Sequence, residues 1–136
     1  WFVTMVLCIL DPDTHQAALI NAGHMPPIHR LGATGDVHEL GKDISGPPLG
    51  CDEYQEYPPF VVHLDPGDTL VMYTDGINEA MNADRELYGV ERVRRTLKAG
   101  PAPVVQSCQG LLEDVKQFVQ DRPQDDDMCL IGIQRQ

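Results

Sequence analysis

Basic residues are scarce in this chain: 10 lysines and arginines stand against 21 aspartates and glutamates, a formal net charge of −11 over 136 residues. A field of that sign repels a phosphate backbone or an anionic bilayer surface, so neither nucleic acid binding nor membrane contact is expected. No apolar run approaches the roughly 20 residues needed to cross a bilayer, and the N-terminus has neither the basic region nor the small-residue cleavage site of a secretory signal. The cysteines are few and unpaired in sequence. Cys8, Cys51, Cys108 and Cys129 are widely scattered without a Cys-x-x-Cys pair, and three of them sit in apolar segments, the usage of reduced thiols in a cytoplasmic protein. Zinc and a disulfide framework are therefore not expected. Serine is limited to Ser45 and Ser107, neither in a Gly-x-Ser-x-Gly elbow, which removes the serine-hydrolase reading. A polar lead-in is missing too: Trp1 opens directly into an apolar run over 2–10, so the chain is expected to start in mid-domain.

What is present suffices for one globular domain, with 42% hydrophobic residues in 136 positions. Two strand-like runs, 2–10 and 16–22, are joined by Asp11-Pro12-Asp13-Thr14-His15, a link too short for anything but an antiparallel hairpin. Further short strands are expected at 27–31, 36–40, 60–64 and 69–74, between Gly, Pro and Asp turns, with a Pro- and Gly-rich surface loop over 41–59. After Asp75 the period changes. Val90, Val93 and Leu97 fall at helical spacing, then Val104, Cys108, Leu111, Leu112, Val115, Phe118 and Val119 line one face of a longer helix, the two joined around Gly100-Pro101. A last strand over 128–134 is apolar on both faces and is expected at the centre of a covered sheet. Strands, two helices and a closing strand read as α+β.

Two acidic sites lie at the mouths of apolar strands. Asp75 ends the run Thr69-Leu70-Val71-Met72-Tyr73-Thr74 and is followed by Gly76, and Asp125-Asp126-Asp127 precede Met128-Cys129-Leu130-Ile131. A strand end fixes a carboxylate while leaving it facing a polar cleft, as a hard divalent cation requires of oxygen ligands. Asp before Gly also suits a turn cap, and the triplet also suits a solvated turn. Strand alternation would set Asp125 and Asp127 on one side and Asp126 on the other, without saying which binds.

Five motifs in order resolve that choice: Asn21-Ala22-Gly23-His24, Gly46-Pro47-Pro48-Leu49-Gly50, Gly67-Asp68-Thr69-Leu70 running into Tyr73-Thr74-Asp75-Gly76-Ile77-Asn78-Glu79-Ala80, Tyr88-Gly89, and Asp126-Asp127-Met128-Cys129-Leu130. With them nearly the whole chain resembles the type 2C metal-dependent protein phosphatases, in the bacterial branch typified by stage II sporulation protein E and the phosphatases that regulate sigma factors by partner switching. The resemblance implies two antiparallel sheets packed between helical layers, with residues 1–136 as the C-terminal portion of the domain. It implies that Asp75 and Asp126 ligate a metal, with Gly76 and Asp127 adjacent to it, in a site that holds two Mn²⁺ or Mg²⁺ ions in the complete domain. It implies a serine/threonine phosphatase acting on a phosphorylated regulatory protein such as an anti-sigma-factor antagonist. His24 suits either a proton donor near the site or a hydrogen-bonded structural residue.

The chain departs from that pattern in two places. Cys129 stands where Thr is usual, and the N-terminal Asp-x-x-Gly-x-Gly segment has no match, Asp43-Ile44-Ser45-Gly46 lying in the wrong place. These residues alone are therefore expected to hold one metal weakly and to hydrolyse poorly. A sheet edge left open at the first strand is expected to promote homo-oligomers.

Rival chemistries fit less well. Cys129 and Arg135 have the Cys-x5-Arg spacing of cysteine phosphatases, but a strand lies between them where a phosphate-binding loop is needed. Gly46 to Gly50 lacks a P-loop lysine and loses amides to its prolines. The 104–119 stripe reads as core packing. A non-catalytic interaction module with the same fold is the alternative reading, and a Ca²⁺-binding extracellular domain is disfavoured by the missing signal and unpaired cysteines.

Overall fold

The computed structural model describes residues 1–100 and 102–136, so Pro101, in the expected joint between the two helices, lies outside the described residues. In chain order the elements are β1 (Met5–Asp11), β2 (Gln16–Ala22), β3 (Ile28–Arg30), β4 (Val37–Glu39), β5 (Phe60–His63), β6 (Thr69–Tyr73), α1 (Asp75–Asn78), α2 (Val90–Ala99), α3 (Val104–Val119) and β7 (Leu130–Gln134).

The Asp11 carboxylate closes the first hairpin by accepting the amides of Asp13 and Thr14 at 2.9 and 3.2 Å. Such a side-chain bond to nearby backbone is what makes Asp a turn residue. β1 and β2 then pair antiparallel from Met5 opposite Ala22 to Asp11 opposite Gln16, as the short link requires. β5 adds to the other side of β2, giving a three-stranded sheet in the order β1-β2-β5. The second sheet has the order β4-β3-β6-β7 and is also antiparallel throughout.

Alternation along β6 joins the layers. Leu70 enters a core between the sheets with Ala17, Leu19, Leu40 and Leu64, while Val71 and Tyr73 point to the helices, where Ile28, Val93, Leu97, Leu111 and Val115 are buried. The basic side chain of Arg30 finishes α2 by donating from Nε to the Leu97 carbonyl at 3.0 Å and from Nη2 to the Gly100 carbonyl at 3.1 Å. The expected α+β class with two antiparallel sheets is thus observed. Of the two helical layers implied, the described residues supply one: Leu7, Ile9 and Val61, on the outer face of the three-stranded sheet, are 43, 60 and 54% exposed.

Four further features differ from the sequence reading. β7 is an edge strand that pairs with β6 alone, and Ile131 is 51% exposed. Its two apolar faces come from the layers above and below: Gly132 meets α3, and Ile133 packs into the inter-sheet core. Covering a strand on both faces requires no neighbour on each side. The 41–59 loop holds a short 3₁₀ turn, Lys42–Ile44, and bridges from Gly46 to Ala22 and from Leu49 to Val3. α1 spans only four residues, about one helical turn, and so gave no periodic signal. The Asp triplet lies in irregular backbone before β7, where strand alternation does not apply.

Candidate functional site

The two acidic segments meet where β6 and β7 run out. The ladder ends at Tyr73 opposite Leu130, and the next residues continue it in altered form. The Thr74 amide donates to the Cys129 carbonyl at 3.0 Å, but the Cys129 amide donates at 2.8 Å to the Thr74 hydroxyl. That hydroxyl donates to the Asp127 carbonyl at 3.0 Å, while the Thr74 carbonyl accepts the Ile77 amide at 3.1 Å and opens α1. Asp75 is the first residue of α1 and is exposed.

Gly76, next in the chain, is buried against the other segment. A Cβ added there would lie 2.5 Å from the Asp127 carbonyl oxygen and 3.3 Å from that of Asp126. Only glycine allows so close an approach of the two backbones. The expected pair of acid-bearing segments is therefore brought together, with Gly76 as the point of contact.

The triplet's members differ in surroundings, although all three are exposed. Asp125 pairs with Arg122 at 2.9 Å, and Arg122 also reaches the Asn82 carbonyl at 3.3 Å. Asp126 turns Oδ1 to the Asp127 amide at 2.7 Å, and its carbonyl accepts Gln124 Nε2 at 2.6 Å. Among the described residues the Asp75 and Asp127 carboxylates have no side-chain or backbone hydrogen-bond partner. Water damps the repulsion within the triplet, which stays outside the core. A cleft of about 480 Å³ opens beside Gly76, Asp125 and Asp126, with Met81, Leu112 and Val119 among its lining.

His24 is half-buried in the turn after β2, where its amide donates to Asn21 Oδ1 at 2.8 Å and its Nδ1 lies 3.1 Å from the Met25 carbonyl. With Tyr73, Thr74 and Cys129 it borders a separate, smaller cavity. Tyr73 is no candidate base: burial, with the nearby Glu39 charge, pushes its phenol up to about 12. Arg135 donates to the Leu64 carbonyl at 2.7 Å and closes the inter-sheet edge, so the Cys129 to Arg135 spacing forms no phosphate loop.

Two features at opposite ends of β6 were not read from the sequence. One is the exchange of partners at Thr74. A threonine at the last position of a strand before Asp-Gly was its only signal. The other is the buried pair formed by Asp68 and His29 at 2.8 Å, in which Asp68 also accepts the amides of Gly32 at 2.7 Å and Asp65 at 3.0 Å. Burial raises the Asp68 pKa, but those amides and His29 outweigh it and hold the carboxyl below its ordinary value of 3.8.

The two segments offer oxygen donors alone: Asp75 and Asp126 carry carboxylates, and the Asp126 and Asp127 carbonyls lie against Gly76. Oxygen donors of that kind suit Mg²⁺ or Mn²⁺, and the lack of a side chain at Gly76 lets the two backbones close together. Among the described residues no three His, Cys, Asp or Glu side chains converge closely enough to hold an ion by themselves. No helix there is long and apolar enough to cross a membrane.

Comparison with known proteins places these features in context. The family model described as Stage II sporulation protein E matches residues 1–136. Protein IcfG of Synechocystis is 27% identical over 134 residues, covering 98% of this chain and 21% of that protein. The phosphoserine phosphatase RsbU of Bacillus subtilis is 31% identical over 78 residues, 57% of this chain and 23% of that one. The chain thus spans about a fifth of the length of the curated relatives it matches. Among solved structures, the RsbU and RsbW domains of Rv1364c from Mycobacterium tuberculosis superpose with a TM-score of 0.76 at 25% identity, over 97% of this chain and 36% of that one. The Mn-presoaked phosphatase domain of SpoIIE from Bacillus subtilis gives 0.72 at 19% identity over 97% of this chain and 56% of that one, a likeness of fold.

Proposed function

The chain belongs to the stage II sporulation protein E family of type 2C-like phosphatases, and from that premise we propose that it is the C-terminal portion of a serine/threonine phosphatase domain, with Asp75 and Asp126 as metal ligands. The observation that carries the reading is the contact of Gly76 with the Asp126 and Asp127 carbonyls, which sets the two acidic segments side by side.

Asp75 and Asp126 would hold Mn²⁺ or Mg²⁺, with Gly76 and Asp127 adjoining. When bound, such ions lower the pKa of a coordinated water and offset the charge of a phosphate. The chain's own part is placement. The paired ends of β6 and β7 bring the two acidic segments together, Gly76 admits the close backbone approach, and Arg122 neutralises Asp125 so that the excess negative charge lies at Asp126 and Asp127. His24, bordering the neighbouring cavity, is in this reading a proton donor to the leaving seryl or threonyl oxygen, which departs as the hydroxyl.

The substrate proposed is a phosphoserine or phosphothreonine on a small regulatory protein, an anti-sigma-factor antagonist in a partner-switching pathway. Support comes from RsbU, named a phosphoserine phosphatase, and from Rv1364c, in which RsbU and RsbW domains occur together. The test is hydrolysis of a phosphoserine peptide by the full-length protein with and without Mn²⁺. Activity should require the metal and fall at least about tenfold in Asp75→Asn and in Asp126→Asn; retention of wild-type activity in both variants would refute the assignment.

The second reading is a non-catalytic module that keeps the fold and binds a regulatory partner. It draws on the fold, which by itself does not imply turnover. A phosphopeptide bound by the full-length protein but left uncleaved in Mn²⁺ would select it.

A further inference from the structure

Thr74 divides its polar groups between two segments, the start of α1 and the 127–129 backbone. Its amide continues the β6–β7 ladder to the Cys129 carbonyl, its carbonyl starts α1 by accepting the Ile77 amide, and its hydroxyl both receives the Cys129 amide at 2.8 Å and donates to the Asp127 carbonyl at 3.0 Å. In a regular antiparallel pair the Cys129 amide would bond to the Thr74 carbonyl. Here the side chain stands in for that carbonyl, so the strand can turn into a helix at Asp75 without losing its hold on the opposite chain.

We propose that Thr74 is a positioning residue for the ion site: its hydroxyl holds the Asp127–Cys129 backbone against the start of α1 and thereby sets Asp126 beside Asp75. This rests on the metal reading of those two acids given above. Three details argue for positioning over simple stabilisation. The hydroxyl bonds to the segment that carries Asp126 and Asp127, and does not cap the helix it precedes. Gly76 lies against the same carbonyl that the hydroxyl engages, so the hydrogen bond and the steric fit act on one atom, the Asp127 oxygen. Cys129 is exposed and Thr74 only half-buried, so water can satisfy the freed amide and carbonyl if the hydroxyl is removed. Loss of the hydroxyl therefore leaves the fold standing and releases the loop.

The experiment uses the full-length protein and Mn²⁺ alone as the probe. It compares wild type, Thr74→Ser, which keeps the hydroxyl, and Thr74→Val, which keeps the shape and loses it. Mn²⁺ affinity is read by the loss of the free-ion electron paramagnetic resonance signal, and hydrogen exchange at the 127–129 amides is read alongside. Thr74→Ser should bind within about twofold of wild type, whereas Thr74→Val should bind roughly tenfold more weakly, as loss of an orienting partner does at metal sites. Exchange in Thr74→Val should quicken at Cys129 while the core amides of β6 stay protected. If wild type binds and Thr74→Val binds as tightly, or if Thr74→Ser fails as badly as Thr74→Val, the positioning role is overturned. A wild type that takes up no Mn²⁺ overturns the metal reading itself, and the role of Thr74 with it.

Discussion

Asp68 shows how a single buried carboxylate can tie backbone segments together. It is 3% exposed and is held by two backbone amides and His29, between the β5–β6 turn and β3. Because its folded pKa lies below 3.8, it stabilises the fold above that pH, and the contribution disappears as the pH falls through the lower folded value. Asp68→Asn is therefore expected to unfold at lower urea at neutral pH, and the gap to wild type should narrow below about pH 4. A gap that stays constant from neutral pH into acid would contradict this. The acidic segments at the candidate site were visible in the sequence because Asp-Gly after an apolar run, and Asp-Asp before one, are local patterns, but spacing did not choose among the three triplet acids, and Asp126 was taken from the family resemblance. The Asp68 to His29 pair was not visible, since its partners are 39 residues apart and nothing local marks either as the other's. Thr74 falls between these cases: its position was visible, but its use of the hydroxyl as a substitute carbonyl depends on where β7 lies.

Helix α3 reaches β7 through the one position on that strand without a side chain. A Cβ on Gly132 would fall 2.7 Å from the Cys108 sulfur and closer still to Val104, so any larger residue must push the helix outward. Gly132→Val should cost about 1–3 kcal/mol in a denaturant titration, as overpacking does. Unchanged stability would mean that α3 is not seated as described. Most elements were readable from their periods: β2 spans the expected 16–22, and α2 and α3 carry the expected apolar stripes, with Val93, Leu97, Leu111 and Val115 buried. The two failures have separate causes. The central placing of β7 confused cover from layers above and below with cover from neighbours in the sheet, and α1 is too short to have a period.

At the scale of the molecule, one sheet is covered and the other is half bare. The three-stranded sheet turns Leu7, Ile9 and Val61 outward, and β1 is its edge, seven residues without proline or lysine. Edges of that kind template further pairing unless blocked. Residues 1–136 on their own are expected to associate with increasing concentration, and Ile9→Lys should reduce this in light scattering; a monomer at high concentration in both would refute it. The α+β class was legible from the order of strands and helices, and the β1–β2 pairing from a link too short for a parallel crossover, whereas the two antiparallel sheets were implied by the family resemblance. The share of the helical layers present in these residues was not legible, because it depends on which strands pair across the whole sheet. The central claim, that Asp75 and Asp126 share one ion, is tested most directly by Mn²⁺ titration of the full-length protein, its Asp75→Asn and Asp126→Asn variants, and the double variant. Each single change should weaken binding at least about tenfold, and the double should be little worse than either, since both act on one site. Wild-type affinity in both single variants would contradict the account.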